Sequence, residues 1–197
     1  SDDEFKLFLY VCERTKLDPF TKQIYAIKRK TQDDAGNWGE VMVHQVGIDG
    51  LRLVAQRSGQ YAGQTEPVYY DAAGNERVVW LDSKPPHAAR VGVRRLGFPD
   101  AVYATALWVE YRQTKRNGEL TKFWKQYPTG QLAKCAEALA LRKAFPMECS
   151  GLYVHEELPP IDEDPPTTLP VAKTALRDPD ARPLAVVNGS GGVVLGF

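Results

Sequence analysis

The chain has 197 residues, 43% hydrophobic and 25% charged, with 25 basic and 25 acidic side chains and a formal net charge of zero. That is ordinary globular composition, with room for one good-sized core or one domain and a tail. No apolar run approaches the roughly 20 residues that cross a bilayer, which excludes a helical membrane protein.

The acidic opening Ser1-Asp2-Asp3-Glu4 is unlike the basic start of a signal peptide, and a helical pattern that begins at once, without Met, points to a trimmed start. Phe5, Phe8, Leu9 and Cys12 recur at helical spacing and predict an amphipathic helix over 3–16, which Asp18-Pro19 breaks. Ile24–Lys28 and Val41–Val46 are short β-type runs around the turn residues Asp33-Asp34-Ala35-Gly36-Asn37. A second helix is expected from about Asp49 to Arg57, ended by Ser58-Gly59. Val68–Tyr70 and Val78–Leu81 flank Gly74-Asn75 as another hairpin. Ala88–Arg95 reads as a strand with Val91 and Val93 on one face and Arg90, Gly92 and Arg94 on the other. In Val102–Arg112, alternation puts Tyr103, Thr105, Leu107, Val109 and Tyr111 on one face, and Asn117-Gly118 turns the chain back into Leu120–Trp124. A third helix, from about Gly130 to Phe145, carries the stripe Leu132, Cys135, Ala136 and Leu139. Residues 159–183 hold seven of the 14 prolines and the acidic run Asp162-Glu163-Asp164, so 159–197 reads as a Pro-rich, acidic, disordered tail. The expectation is an α+β domain over 1–158, with antiparallel β-hairpins packed against about three helices.

The net charge hides a segregation. Residues 1–83 carry 10 basic and 13 acidic side chains, residues 84–143 carry 12 and 4, and residues 144–197 carry 3 and 8. A middle third at +8 between two acidic stretches suggests a local polyanion site. Its densest part is the expected hairpin 101–125, where Arg112, Lys115, Arg116, Lys122 and Lys125 lie beside Trp108, Tyr111, Phe123 and Trp124. Cations meet phosphates and flat rings stack on bases, the pairing that single-strand binding needs. Arg90 and Arg94 of the preceding strand join this set, as do Lys134, Arg142 and Lys143 of the last helix, where Lys134 and Arg142 stand about two turns apart.

Enzyme motifs are sparse. His44, His87 and His155 lack metal-ligand spacing, and no phosphate-binding Gly-rich loop or nucleophile elbow occurs. Cys12, Cys135 and Cys149, odd in number and widely spaced, argue against a disulfide framework or a cysteine metal site and suit a reducing cytoplasm. Asp82-Ser83-Lys84 matches the D-x-K ending of metal-dependent nuclease centres, which keeps a nuclease as one alternative; a protein-interaction module with a basic face is another.

The segment Asp18-Pro19-Phe20-Thr21-Lys22-Gln23-Ile24-Tyr25-Ala26, followed by Val46-Gly47-Ile48-Asp49-Gly50-Leu51-Arg52, resembles the paired signature of the RecT/Redβ (Bet) family of phage annealing proteins. A third block, from Trp124 and Pro128 through Leu132, Lys134-Cys135-Ala136, Ala140, Arg142 and Phe145, is similar to that family's W-x-x-x-P…K-A…C-A-R-x-A-F block. Phe20 stands where the family has Trp, and Thr129 and Gly130 stand where a Redβ-like motif is basic. The resemblance implies distant kinship with Rad52-like folds. It also implies ATP-independent binding of single-stranded DNA and annealing of complementary strands in homologous recombination. Rings or helical filaments of identical subunits would carry this out, without cofactor or metal, beside a phage exonuclease and a host single-strand binding protein. By motif position it places Trp124 and Arg142 in the basic groove, with Lys134 one residue from a family lysine.

Overall fold

The computed structural model describes residues 2–32, 36–115 and 117–157; Ser1, Asp33 to Ala35, Arg116 and the stretch 158–197 lie outside the described residues. The elements, in chain order, are α1 (Asp2–Thr15), β1 (Ile24–Gln32), β2 (Trp38–Val46), α2 (Ile48–Arg57), β3 (Tyr61–Gln64), β4 (Val68–Tyr70), β5 (Glu76–Arg77), β6 (Ala88–Arg95), β7 (Val102–Leu107), α3 (Trp108–Tyr111), α4 (Lys122–Gln126) and α5 (Pro128–Ala144), followed by a 3-10 turn, His155–Glu157. The class is α+β. Among the described residues no helix is long and apolar enough to cross a membrane.

β1 and β2 form a separate antiparallel hairpin from the pair Ile24–Val46 to Gln32–Trp38. The second sheet is organised by β6. One edge of β6 pairs first with β4, from Val68–Arg90 to Tyr70–Ala88, and then with β3 through Gln64–Val93 and, past an irregularity, Tyr61–Arg95. Its other edge pairs with β7 from Ala88–Leu107 to Val93–Val102. Ala89, Val91, Val93, Ala104 and Ala106 are buried on one side of this sheet, and α5 packs there.

α5 begins with Pro128 at its first turn, where a missing N–H costs nothing. Its buried Ala136, Ala140 and Ala144 share one face, and small side chains there and on the sheet bring helix and sheet close. The helix belongs to two apolar clusters. Leu141 joins Phe8, Leu17, Ile24, Val46, Leu51 and Phe145 in one, and Leu132 and Cys135 join Tyr69, Val91 and Trp124 in the other. Arg95 closes its far end, donating from Nη1 to the Ala144 carbonyl at 2.5 Å, a cation at a helix C-terminus.

The two blocks that carry the family resemblance meet in space. Asp18 Oδ1 accepts from the Phe20 N–H at 2.8 Å, Lys22 takes a positive φ of 61°, and the Gly47 N–H donates to the Gln23 carbonyl at 2.9 Å. α2 then starts so close to this turn that a Cβ on Gly50 would sit 2.5 Å from the Gln23 carbonyl oxygen and 2.6 Å from Val46 Cγ1. Only glycine fits. Gly50→Ala is expected to cost about 1–3 kcal/mol, or a thermal midpoint lower by roughly 2–12 °C, in a circular-dichroism melt; an unchanged midpoint contradicts the close approach. From the same α2, Arg52 reaches buried Glu137 of α5 through Nε at 2.5 Å and Nη2 at 2.7 Å, and this bidentate pair holds the guanidinium pKa above its ordinary value.

Three expectations are corrected. The inward face of α1 is Phe8 with partly buried Val11 and Cys12, and Phe8 stacks on His44 at 5.6 Å; Phe5 and Leu9 are 57% and 48% exposed. Val78–Leu81 is not a strand. Trp80 folds back so that its Nε1 donates to the Lys84 carbonyl at 2.7 Å, and pairing with β4 stops after Arg77. The long hairpin 101–125 is also absent. β7 stops at Leu107 because its partner β6 begins only after Pro85-Pro86, and the last ladder bond runs from the Trp108 N–H to the His87 carbonyl. The chain then coils into α3, makes a single bridge, Thr114–Leu120, around Asn117-Gly118, and enters α4 where a returning strand was expected.

Candidate nucleic-acid interface

The Asn117-Gly118 turn forms as its sequence predicts. Gly118 has φ 81°, the Lys115 N–H donates to the Glu119 carbonyl at 2.7 Å, and Asn117 Oδ1 accepts from the Glu119 N–H at 3.1 Å. Directly after it, α4 is anchored by one inward residue. Trp124 is 1% exposed and meets Trp108 edge-on, with ring centroids 5.4 Å apart. Everything else on this five-residue helix faces out, including Lys122, Phe123, Lys125 and Gln126, and Tyr127 follows, exposed. Lys122 and Lys125, three apart, share a face. Together with Lys115, Glu119 and Leu120 they line an open depression of about 510 Å³. Three of the expected cations are thus gathered around one concavity, with Phe123 and Tyr127 exposed on and beside the helix that carries two of them.

The remaining expected residues lie elsewhere. Arg112 is exposed at the end of α3. Arg116 is outside the described residues. Trp124 belongs to the core, so the ring that α4 offers to solvent is Phe123, 60% exposed. Arg90 and Arg94 are on the face of β6 opposite Val91 and Val93. Arg90 is paired with Glu76 at 3.0 Å and sits over the rings of Tyr70 and Tyr103, at 5.5 and 5.3 Å, whereas Arg94 is exposed.

On α5, two of the expected cations, about two turns apart, are paired with adjacent carboxylates. Lys134 lies 3.4 Å from Glu156 and donates to Gln131 Oε1 at 2.9 Å. Arg142 holds Glu157 with both Nη atoms and lies 5.2 Å over the Tyr153 ring. Burial works against its charge, but the Glu157 hydrogen bonds and carboxylate more than offset this, and its pKa stands above the ordinary value. Lys143 is exposed.

Sequence reasoning passed over Tyr70 and Tyr103, which flank Arg90. It also passed over Lys30 and Trp38, which with Gly39 and Glu40 line a second open depression of about 460 Å³ on the β1–β2 hairpin. Trp38 follows the turn residues directly, and that placement was the available signal.

Other chemistry finds little footing. Asp82 faces Arg77 at 3.5 Å, and among the described residues no group of three or more His, Cys, Asp or Glu is gathered as a metal site would require. Cys135 and Cys149 are buried, which raises both thiol pKa values, that of Cys149 to about 11, and leaves little reactive thiolate.

No curated protein matches the chain. The family model described as the RecT family matches residues 1–169. With 169 of 197 residues matched, the chain belongs to the RecT family.

Proposed function

We propose that this chain binds single-stranded DNA and anneals complementary strands without ATP, with residues 1–158 as the binding and assembly unit. RecT-family membership implies single-strand annealing in DNA recombination, and proteins of the family are generally not catalytic. The observation that carries the rest is the set Lys115, Lys122 and Lys125 around one open depression beside exposed Phe123 and Tyr127. Annealing requires neutralised phosphates, so that two polyanions approach, and no readout of sequence; a shallow cationic surface with rings supplies both. Arg112 and Lys143 are exposed and would extend the phosphate contacts, and Arg116 and Arg94 are assigned to the same binding set.

The working form is a homo-oligomer on DNA, a ring or a helical filament. α1 supports this, because Phe5, Leu7, Leu9 and Tyr10 are each about half exposed or more on one short helix, an apolar surface of the kind that subunits bury. A phage exonuclease would supply the single strands, and a host single-strand binding protein would be the competitor for them.

The test is the pairing of complementary oligonucleotides, one carrying a donor dye and one an acceptor, with purified protein and no nucleotide. Pairing faster than in protein-free controls, and unchanged by added ATP, is the expected result. A rate equal to the control rejects the proposal.

A further inference from the structure

We infer that the open face of the β6–β7 sheet is a base-stacking platform for single-stranded DNA, where the Tyr103 ring receives a base and Arg94 meets a neighbouring phosphate. This rests on the single-strand-binding reading above and names a second contact surface for it.

The sheet is two-sided in an uneven way. α5 covers Ala89, Val91, Val93, Ala104 and Ala106, whereas on the other face Tyr103 is 50% exposed, Leu107 is 40% exposed, and Arg94 and Thr105 are exposed. A half-exposed tyrosine is common on a sheet. This one is propped. Tyr103 pairs across from Gly92, and a Cβ at Gly92 would lie 2.6 and 2.9 Å from ring atoms of Tyr103. The ring therefore rests on bare backbone, in space that any other residue at position 92 would occupy. Thr65 steadies that backbone by accepting the Gly92 N–H with its Oγ1 at 2.9 Å.

Arg90 holds the ring from one side. Its guanidinium lies 5.3 Å from the Tyr103 centroid and 5.5 Å from that of Tyr70, and its charge is matched by Glu76 at 3.0 Å. Arg90 is thus a positioning residue whose charge is already paired. Arg94 differs. It projects from the same face of β6, two residues beyond Gly92, and makes no ion pair among the described residues. Two residues of strand put it about 7 Å from the level of Tyr103, close enough to meet a phosphate beside the base that the ring receives.

A fixed flat ring and an unpaired guanidinium at that spacing complement a chain of alternating bases and phosphates. Stacking engages the face of a base and leaves its pairing edge free, which suits a surface that must present one strand to another. It also tolerates any sequence.

The test uses the full chain and fluorescence anisotropy with two labelled strands of equal length, oligothymidylate and a strand of abasic sugars. Tyr103→Ala is expected to weaken oligothymidylate binding about fivefold or more and to leave the abasic strand unaffected, while Tyr103→Phe binds both as wild type does. Arg94→Ala is expected to weaken both strands and to lower the salt slope by about 0.7. Oligothymidylate binding by Tyr103→Ala at wild-type strength overturns the platform, as does an equal loss on both strands, which assigns the ring to the sheet's own stability. If the wild-type chain binds neither strand, the single-strand-binding reading itself is overturned, so the two failures are told apart.

Discussion

Replacing Lys115, Lys122 and Lys125 together with alanine is expected to lower affinity for single-stranded DNA by about 100-fold at 0.1 M salt, with the fold left intact. The magnitude follows from counterion release. Each phosphate contact on a single strand contributes about 0.7 to the dependence of log affinity on log salt, so three contacts contribute about 2, and a tenfold dilution from 1 M salt turns that into about two decades of affinity. All three side chains are exposed, and none makes an ion pair among the described residues, so stability should move by no more than about 0.5 kcal/mol. The measurement is a salt titration of anisotropy for wild type, the triple alanine variant and a triple arginine variant. The alanine variant should lose about 2 from the slope equally for different base sequences, and the arginine variant should keep it. A slope unchanged in the alanine variant removes these lysines from the interface, whatever the affinity does.

How much of this was legible in the sequence divides along local and non-local lines. α2, α5, β6 and the turn at Asn117-Gly118 follow from periodicity and turn chemistry confined to a dozen residues, and they formed nearly at their expected bounds. The long hairpin failed because the length of β7 is decided by its partner, and Pro85-Pro86, some twenty residues upstream, end the ladder at His87. The alternation in β7 was correct but unsigned. Tyr103, Thr105 and Leu107 share a face, yet that face points outward, because α5 brings alanines and selects the small side of the strand. The lysine depression was visible as a charge cluster. The burial of Trp124 and the carboxylates paired with Lys134 and Arg142 were not, since the segment expected as a returning strand coils into α4 and turns that ring inward, and Glu156 and Glu157 reach α5 only through the tertiary path of the 152–157 segment.

Arg142 shows what that path does. Arg142→Ala is expected to cost about 3 kcal/mol or more, because it leaves the Glu157 carboxylate, 6% exposed, without its cation. For a chain of this size that is a fall in thermal midpoint of about 10 °C. The consequence spreads through the segment that Glu157 anchors. Glu157 also accepts from the Val154 N–H at 3.1 Å, the Val46 N–H donates to the Tyr153 carbonyl at 2.9 Å, and buried Gln113 donates from Nε2 to the His155 carbonyl at 3.1 Å. Gln113 stands two residues before Lys115. The ion pair therefore ties together α5, the β1–β2 hairpin and the start of the lysine-bearing loop, and Arg142→Ala should lower DNA affinity as a positioning defect. The variant Arg142→Met with Glu157→Gln separates this from direct contact: it fills the space with an apolar stem, removes the stranded charge and keeps a side-chain acceptor for Val154. Stability and DNA affinity are expected to recover together in it, because what the loop needs is a held segment. Recovered stability with affinity still low at unchanged temperature places the guanidinium on the phosphates instead, and an Arg142→Ala protein that melts as wild type does denies the clamp altogether.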